Sequence, residues 1–138
     1  MGTILELFKL RIGVVIAITA LAGWAIVAPG AGDANATAAA VLVIAVLVAS
    51  GAAGAFNQYY EIDLDRRMRR TRGRPFVTGR LRPHRGWPVL IAALVAIACT
   101  AAWLATNAMA AFFTFLGALF YAVVYTVWLK RRTAWNIV

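Results

Sequence analysis

Residues 36–56 read ATAAAVLVIAVLVASGAAGAF, and residues 57–75 continue at once with NQYYEIDLDRRMRRTRGRP. The first stretch carries no charge and has about the 20 apolar residues that a helix needs to cross the hydrocarbon core of a bilayer. The second stretch places three acids and then a series of arginines at the point where such a helix would leave the membrane. A polar site at the membrane surface is therefore expected at this boundary.

The composition of the whole chain supports a membrane protein. Of its 138 residues, 63% are hydrophobic and 14% are charged, whereas soluble domains have about 45–50% apolar and about 25% charged residues. Three further charge-free runs, at 12–29, 87–105 and 108–129, have the length of a span. We therefore predict an all-α fold, a polytopic transmembrane helical bundle with four spans in this chain.

The positive charges indicate the orientation of the spans. All 14 Lys and Arg residues lie before the first span, between the second and third spans, or after the fourth span. Four crossings put these three places on one side of the membrane, and the positive-inside rule makes that side cytoplasmic. The segment 57–86 is then a long cytoplasmic loop, and loops of this length are commonly functional.

The acids that follow the second span form a pattern. On a helix that turns about 100° per residue, Asn57, Glu61 and Asp65 line one face, whereas Asp63 points elsewhere. Two carboxylates at this spacing repel each other unless a positive group lies between them. Mg²⁺ suits the position, because it takes oxygen ligands and commonly combines one or two carboxylates with substrate phosphates. This face predicts a magnesium-diphosphate site, with Asp63 as an ordinary surface acid.

The arginines allow two interpretations. Guanidinium groups bind phosphate oxygens in bidentate geometry, so the arginines at 66–74 can complete a diphosphate site. A basic block beside a span is also common as a topology signal and as a contact for anionic lipid. The acids favour the first interpretation, since negative charge weakens an orientation signal. No nucleic-acid partner is predicted, because the block is anchored at a bilayer and has no recognised fold for that purpose.

Residues 57–79 fit the pattern N-x3-E-x3-D followed by M-x-R-T-x2-R-P-x3-G. This pattern resembles the first aspartate-rich motif of the UbiA superfamily of intramembrane prenyltransferases. Within the superfamily it is most similar to the heme-farnesylating family, the protoheme IX farnesyltransferases or heme O synthases. Two other stretches support the resemblance, K-x-R at 9–11 and YTVWLKRRTAWNIV at 125–138. Two positions depart from the family pattern, because Glu61 stands where Asp is usual and Leu10 where Pro is expected.

The resemblance implies a reaction and a set of site residues. The implied substrates are farnesyl diphosphate and heme b, and the implied product is heme O. Asn57, Glu61 and Asp65 are implied to be the catalytic residues and the ligands of the Mg²⁺ cofactor. The residues implied to bind the diphosphate are Arg70, Arg74, Lys130 and Arg131.

The resemblance also implies surroundings for the reaction. The protein is expected in the bacterial inner membrane, in contact with lipid, with its basic loops in the cytoplasm. Terminal oxidase assembly factors or heme-handling proteins are the expected partners. Tyr59, Tyr60 and the aromatic residues of the fourth span are candidates for stabilising an allylic cation through their ring faces.

The family fold is a bundle of about nine helices with a second acidic motif in its other half. Residues 1–138 are therefore expected to be the N-terminal portion of such a domain and to be inactive alone. Two alternatives remain open at this point. One is a UbiA-type prenyltransferase that acts on a quinone precursor or a chlorin. The other is a non-catalytic membrane module that binds anionic lipid or a partner protein.

Overall fold

The computed structural model of the chain describes residues 7, 8, 10–27 and 36–129. Within these residues all regular structure is helical and no strand occurs, which confirms the predicted all-α fold. The helices are α1 (Leu10–Val27), α2 (Ala36–Tyr60), α3 (Ile62–Arg67), α4 (Gly86–Ala105) and α5 (Ala108–Leu119), and α5 continues as a π-helical segment (Phe120–Leu129).

A helix lies at each of the four predicted spans. Three of them, Ala36–Tyr60, Gly86–Ala105 and Ala108–Leu129, are long and apolar enough to cross a membrane. The apolar part of α1 is shorter, Ile12–Ile26, and residues 28–35 lie outside the described part of the chain. The loop predicted to begin at Asn57 begins later, because α2 continues to Tyr60.

The central element is α2, which packs against α1, α4, α5 and the π-helical segment. Its interior face is built largely from alanine, and small side chains let helix backbones approach closely in a membrane. The buried cluster that joins α1, α2 and α4 consists of Ala17, Leu42, Ala45, Val46, Ala49, Ala98 and Ala102. By contrast, α4 and α5 expose large apolar side chains such as Ile97, Trp103 and Phe112, as expected of surfaces that face lipid.

A second buried cluster lies at the end of α2 that precedes the acids. It joins Leu7, Ala52 and Ala55 to Phe76 of the loop and Ile91 of α4. The Phe76 ring makes edge-on contacts, with centroid distances of 5.9 Å to Tyr59 and 5.1 Å to Trp87. This packing fastens the loop between α3 and α4 to the ends of two helices.

The residues before α1 cross α2 at a glycine. Gln58 Nε2 donates a hydrogen bond of 2.9 Å to the carbonyl oxygen of Leu7. A Cβ atom on Gly51 would lie 2.6 Å from Cδ1 and 3.2 Å from Cβ of Phe8. The position of the Phe8 Cβ atom is fixed by the backbone. Rotating the Phe8 side chain therefore relieves the contact with Cδ1 but not the contact with Cβ.

We therefore expect Gly51→Ala to lower the free energy of unfolding by about 1–3 kcal/mol, the usual effect of overpacking a close contact. The measurement is unfolding of the full-length protein in detergent. Gly23→Ala is the matched control, because a Cβ at Gly23 meets no atom within 4 Å. Equal stability of the two variants would show that Phe8 does not pack against α2 in the folded protein.

Candidate active site

The predicted face of polar residues forms at the junction of α2 and α3. Backbone hydrogen bonds continue through the junction, from Glu61 N to Asn57 O at 3.1 Å and from Asp65 N to Glu61 O at 2.8 Å. The three side chains are therefore stacked at steps of about 6 Å along one helix face. Each of the three residues is 0% exposed, whereas Asp63 is exposed. The predicted placement of all four residues is confirmed.

Asp65 forms the ion pair of this site. Its Oδ2 lies 2.5 Å from Nη1 of Arg74, and the side chains of Asp65 and Arg74 are 1% and 18% exposed. The other carboxylate oxygen, Oδ1, is buried and accepts no hydrogen bond from the described residues. The site thus holds a carboxylate that is paired on one oxygen and open on the other.

The loop that carries Arg74 is compact. The Thr71 hydroxyl donates to the carbonyl oxygen of Asp65 at 3.0 Å, and the Arg74 amide donates to Thr71 O at 3.1 Å. Farther along, the Leu81 amide donates to Pro75 O at 3.1 Å, and Gly79 adopts φ +79°, a conformation that favours glycine. These bonds return the chain to the acids, so Arg74 reaches Asp65 across nine positions of sequence.

Thr126 is a site residue that sequence reasoning missed. Asn57 Nδ2 donates to Thr126 Oγ1 at 3.2 Å, and Thr126 Oγ1 in turn donates to the carbonyl oxygen of Tyr121 at 2.9 Å. Thr126 is 0% exposed. The available signal was its hydroxyl, one of the few polar groups in a mainly apolar span, since polar groups inside a membrane commonly serve function.

A cavity of about 740 Å³ lies between α1, α2 and α5. Its walls are mainly apolar, with side chains such as Ile16, Val46 and Phe113. Tyr121 also lines the cavity, and its carbonyl oxygen accepts the hydrogen bond from Thr126, which in turn accepts from Asn57 of the acidic face. The cavity therefore approaches the acidic face at Tyr121.

Two of the aromatic candidates lie elsewhere. Tyr59 packs on Phe76 and Tyr60 stacks on Phe56 at 5.8 Å, and neither lines the cavity. The rings that do line it include Phe113 and Tyr121, together with Trp24 of α1. Helical periodicity could not distinguish these groups, because the choice depends on which neighbouring helix each ring meets.

Of the other three predicted diphosphate ligands, the structure describes Arg70. Arg70 is exposed. Lys130 and Arg131 lie outside the described residues. Of the four predicted basic residues, Arg74 is the one for which a contact with the acidic face is described.

A comparison of the sequence with known protein families identifies the family of this chain. A sequence model of the UbiA prenyltransferase family matches residues 13–138. The chain belongs to the UbiA prenyltransferase family. Family membership, together with helices long and apolar enough to cross a bilayer, makes it an integral membrane protein.

Within this family, the chain is similar to proteins named protoheme IX farnesyltransferase. The chain is 53% identical over 133 residues to protoheme IX farnesyltransferase 2 of Paramagnetospirillum magneticum. The aligned region covers 96% of this chain and 46% of the relative. It is 44% identical over 137 residues to protoheme IX farnesyltransferase of Acidiphilium cryptum, covering 99% of this chain and 42% of the relative. The chain thus spans less than half the length of these relatives. No solved structure matches it.

Proposed function

We propose that this chain serves in a protoheme IX farnesyltransferase. The reaction breaks the bond between C1 of the farnesyl group and the diphosphate oxygen, and C1 forms a carbon–carbon bond with a vinyl group of heme b. Water supplies the hydroxyl group on the other vinyl carbon and releases a proton, which gives the hydroxyethylfarnesyl side chain of heme O. The observation that carries the proposal is the buried face formed by Asn57, Glu61 and Asp65 near an apolar cavity. Within this face, Asp65 forms an ion pair with Arg74.

We propose Asn57, Glu61 and Asp65 as catalytic residues and Mg²⁺ ligands. The donor set suits this ion, which prefers oxygen and commonly takes one or two carboxylates with phosphate oxygens in the rest of its shell. Asp65 Oδ1 supports the assignment, because it is buried and accepts no hydrogen bond from the described part of the chain. Bound Mg²⁺ would supply electrostatic stabilisation for the charge that develops on the departing diphosphate.

Arginine side chains would bind the diphosphate. Arg74 has five N–H donors, and its contact with Asp65 uses Nη1, so further donors remain for phosphate oxygens. Arg70 lies on the exposed side of the same loop, where it could meet the diphosphate as it arrives. Lys130 and Arg131 are proposed as further diphosphate ligands from the family resemblance.

The cavity would hold the farnesyl chain. Its volume of about 740 Å³ falls within the range of about 300–1,000 Å³ that is usual for ligand pockets. The apolar walls would keep water from the allylic cation until heme attacks. The faces of Tyr121 and Phe113 would stabilise that cation by about 0.5–2 kcal/mol each.

The charges around the proposed site also indicate the side of the membrane on which it would open. A magnesium-diphosphate site among arginines would open on the cytoplasmic side of the bacterial inner membrane, according to the positive-inside rule. A heme product confined to this membrane would pass to heme-handling proteins or to terminal oxidase assembly.

Product formation tests the proposal. The full-length protein in liposomes is given heme b, farnesyl diphosphate and Mg²⁺, and mass spectrometry follows the heme. We expect heme with an added hydroxyethylfarnesyl group, and we expect a chelator of divalent cations to abolish its formation. A parallel reaction contains a quinone precursor. Prenylation of the quinone precursor alone would reject heme as the acceptor, and the absence of both products would favour a non-catalytic membrane module.

A further inference from the structure

We propose that Arg74 is a positioning residue that makes the site selective for Mg²⁺ over Ca²⁺, by leaving Asp65 a single oxygen with which to bind a cation. The inference rests on the proposed function, because it concerns the same magnesium site. It is carried by the unequal surroundings of the two carboxylate oxygens of Asp65 and by the hydrogen bonds that hold Arg74 beside them.

The two carboxylate oxygens of Asp65 differ in their partners. Oδ2 accepts a hydrogen bond of 2.5 Å from Arg74 Nη1, whereas Oδ1 accepts none from the described part of the chain. The Asp65 side chain is 1% exposed, so bulk water does not replace the guanidinium group. The two oxygens are chemically equivalent, so a half-turn of the carboxylate again leaves one paired and one open. Asp65 can therefore offer one oxygen to a cation for as long as Arg74 holds the other.

The main chain of Arg74 is held on both sides. Its amide donates to Thr71 O at 3.1 Å, and its carbonyl oxygen accepts from the amides of Val77 and Thr78, each at 3.0 Å. The Thr71 hydroxyl donates in turn to the carbonyl oxygen of Asp65 at 3.0 Å. The loop segment that carries Arg74 is therefore tied to the helix that carries Asp65. A cation at the open oxygen need not displace the guanidinium group.

Mg²⁺ and Ca²⁺ use a carboxylate differently. Ca²⁺ takes about 6–8 oxygen ligands and can bind both oxygens of one carboxylate, whereas Mg²⁺ needs a small, near-ideal octahedral shell that it completes with water or phosphate. A carboxylate limited to one oxygen removes a ligand from Ca²⁺ and suits the smaller shell of Mg²⁺. Both ions carry the same charge, so attraction to the acids does not distinguish them. Arg74 thus supplies selectivity through the number of ligands.

The experiment compares Arg74→Met with the unmodified full-length protein in detergent. Electron paramagnetic resonance follows bound Mn²⁺ while Ca²⁺ or Mg²⁺ displaces it, without diphosphate, so that the loss of a diphosphate ligand does not enter. The ratio of the two displacing concentrations gives the preference. We expect the unmodified protein to prefer Mg²⁺ and Arg74→Met to shift the ratio by about 10-fold toward Ca²⁺, the lower end of the effect of losing a group that hydrogen-bonds a metal ligand.

Arg72→Met is the matched control, because Arg72 is an exposed arginine of the same loop. It should keep the ratio of the unmodified protein. If Arg74 served only to maintain the structure, Arg74→Met would weaken the binding of both cations and leave the ratio unchanged, which would overturn the inference. A preference for Ca²⁺ in the unmodified protein, or an equal shift in Arg72→Met, would overturn it as well.

A second measurement applies if Arg74→Met unfolds in the absence of divalent cations. A cation that binds the folded state stabilises it by mass action, so the concentration that refolds the variant reports affinity. We expect Ca²⁺ to refold Arg74→Met at a lower concentration than Mg²⁺. Refolding by Mg²⁺ at an equal or lower concentration, or by neither cation, would overturn the inference.

Failure of the proposed function gives a different result. A protein that prefers Mg²⁺ through Arg74 but does not farnesylate heme would reject the function and retain the inference. A protein that farnesylates heme but shows the same cation preference in Arg74→Met would retain the function and reject the inference.

Discussion

Asp65→Asn in the full-length protein is expected to reduce prenyl transfer by about 10²–10³-fold, the range seen when one group that stabilises transition-state charge is removed. The substitution preserves the shape of the side chain and removes its charge. It weakens the proposed metal site at the buried Oδ1 atom and removes the partner of Arg74 at Oδ2. The measurement is the initial rate of heme farnesylation in liposomes at saturating heme b and farnesyl diphosphate.

Asp63→Asn is the control for this experiment. Asp63 lies two residues away in the same short helix and is exposed, so its removal changes the net charge equally without touching the buried face. We expect a rate near that of the unmodified protein for Asp63→Asn and a loss similar to that of Asp65→Asn for Glu61→Gln. Near-normal turnover in both Asp65→Asn and Glu61→Gln would reject the metal-site assignment.

Arg74→Met is expected to lower the free energy of unfolding by about 3–5 kcal/mol, because it leaves the buried Asp65 carboxylate without its counter-charge. The unfolding measurement is made in detergent with a chelator present, so that no divalent cation replaces the guanidinium group. Arg72→Met is the control, since Arg72 belongs to the same loop and is exposed. Substitutions at such surface positions usually change stability by about 0.5 kcal/mol or less.

The double variant Asp65→Asn/Arg74→Met separates the ion pair from packing. Once the carboxylate is neutral, loss of the guanidinium group leaves no buried charge, so the double variant should be more stable than Arg74→Met alone. A double-mutant cycle expresses this difference as a coupling energy. A coupling energy of zero would mean that Arg74 and Asp65 do not form an ion pair in the folded protein.

Several features of the fold could be predicted because they depend on residues close together in the chain. Charge-free runs at 36–56, 87–105 and 108–129 correspond to helices, since a membrane span is defined by local length and apolarity. The shared face of Asn57, Glu61 and Asp65 was predicted by helical periodicity, which also separated Asp63. The end of α2 was misplaced, because a helix can continue beyond an apolar run when its polar side chains find buried partners.

Other features of the site depend on residues far apart in the chain. The bond between Asn57 and Thr126 spans 69 positions, and the bond between Gln58 and Leu7 spans 51. Periodicity within one helix contains no information about which neighbour will meet a given face. Contacts of the π-helical segment are harder still to predict from the sequence, because its wider turn shifts residues away from the positions that a regular helix predicts.

The sequence by itself determined that this protein is helical and membrane-spanning, and that its acids share one face beside a basic loop. Those properties follow from the period of a helix and from the free energy of transferring apolar side chains into lipid. Tertiary structure alone decided that Arg74 pairs with Asp65, that Thr126 meets Asn57, and that the cavity approaches the acids at Tyr121. The physical reason is that each of these contacts requires separate segments to pack together, and the burial that results determines which polar groups must pair with one another.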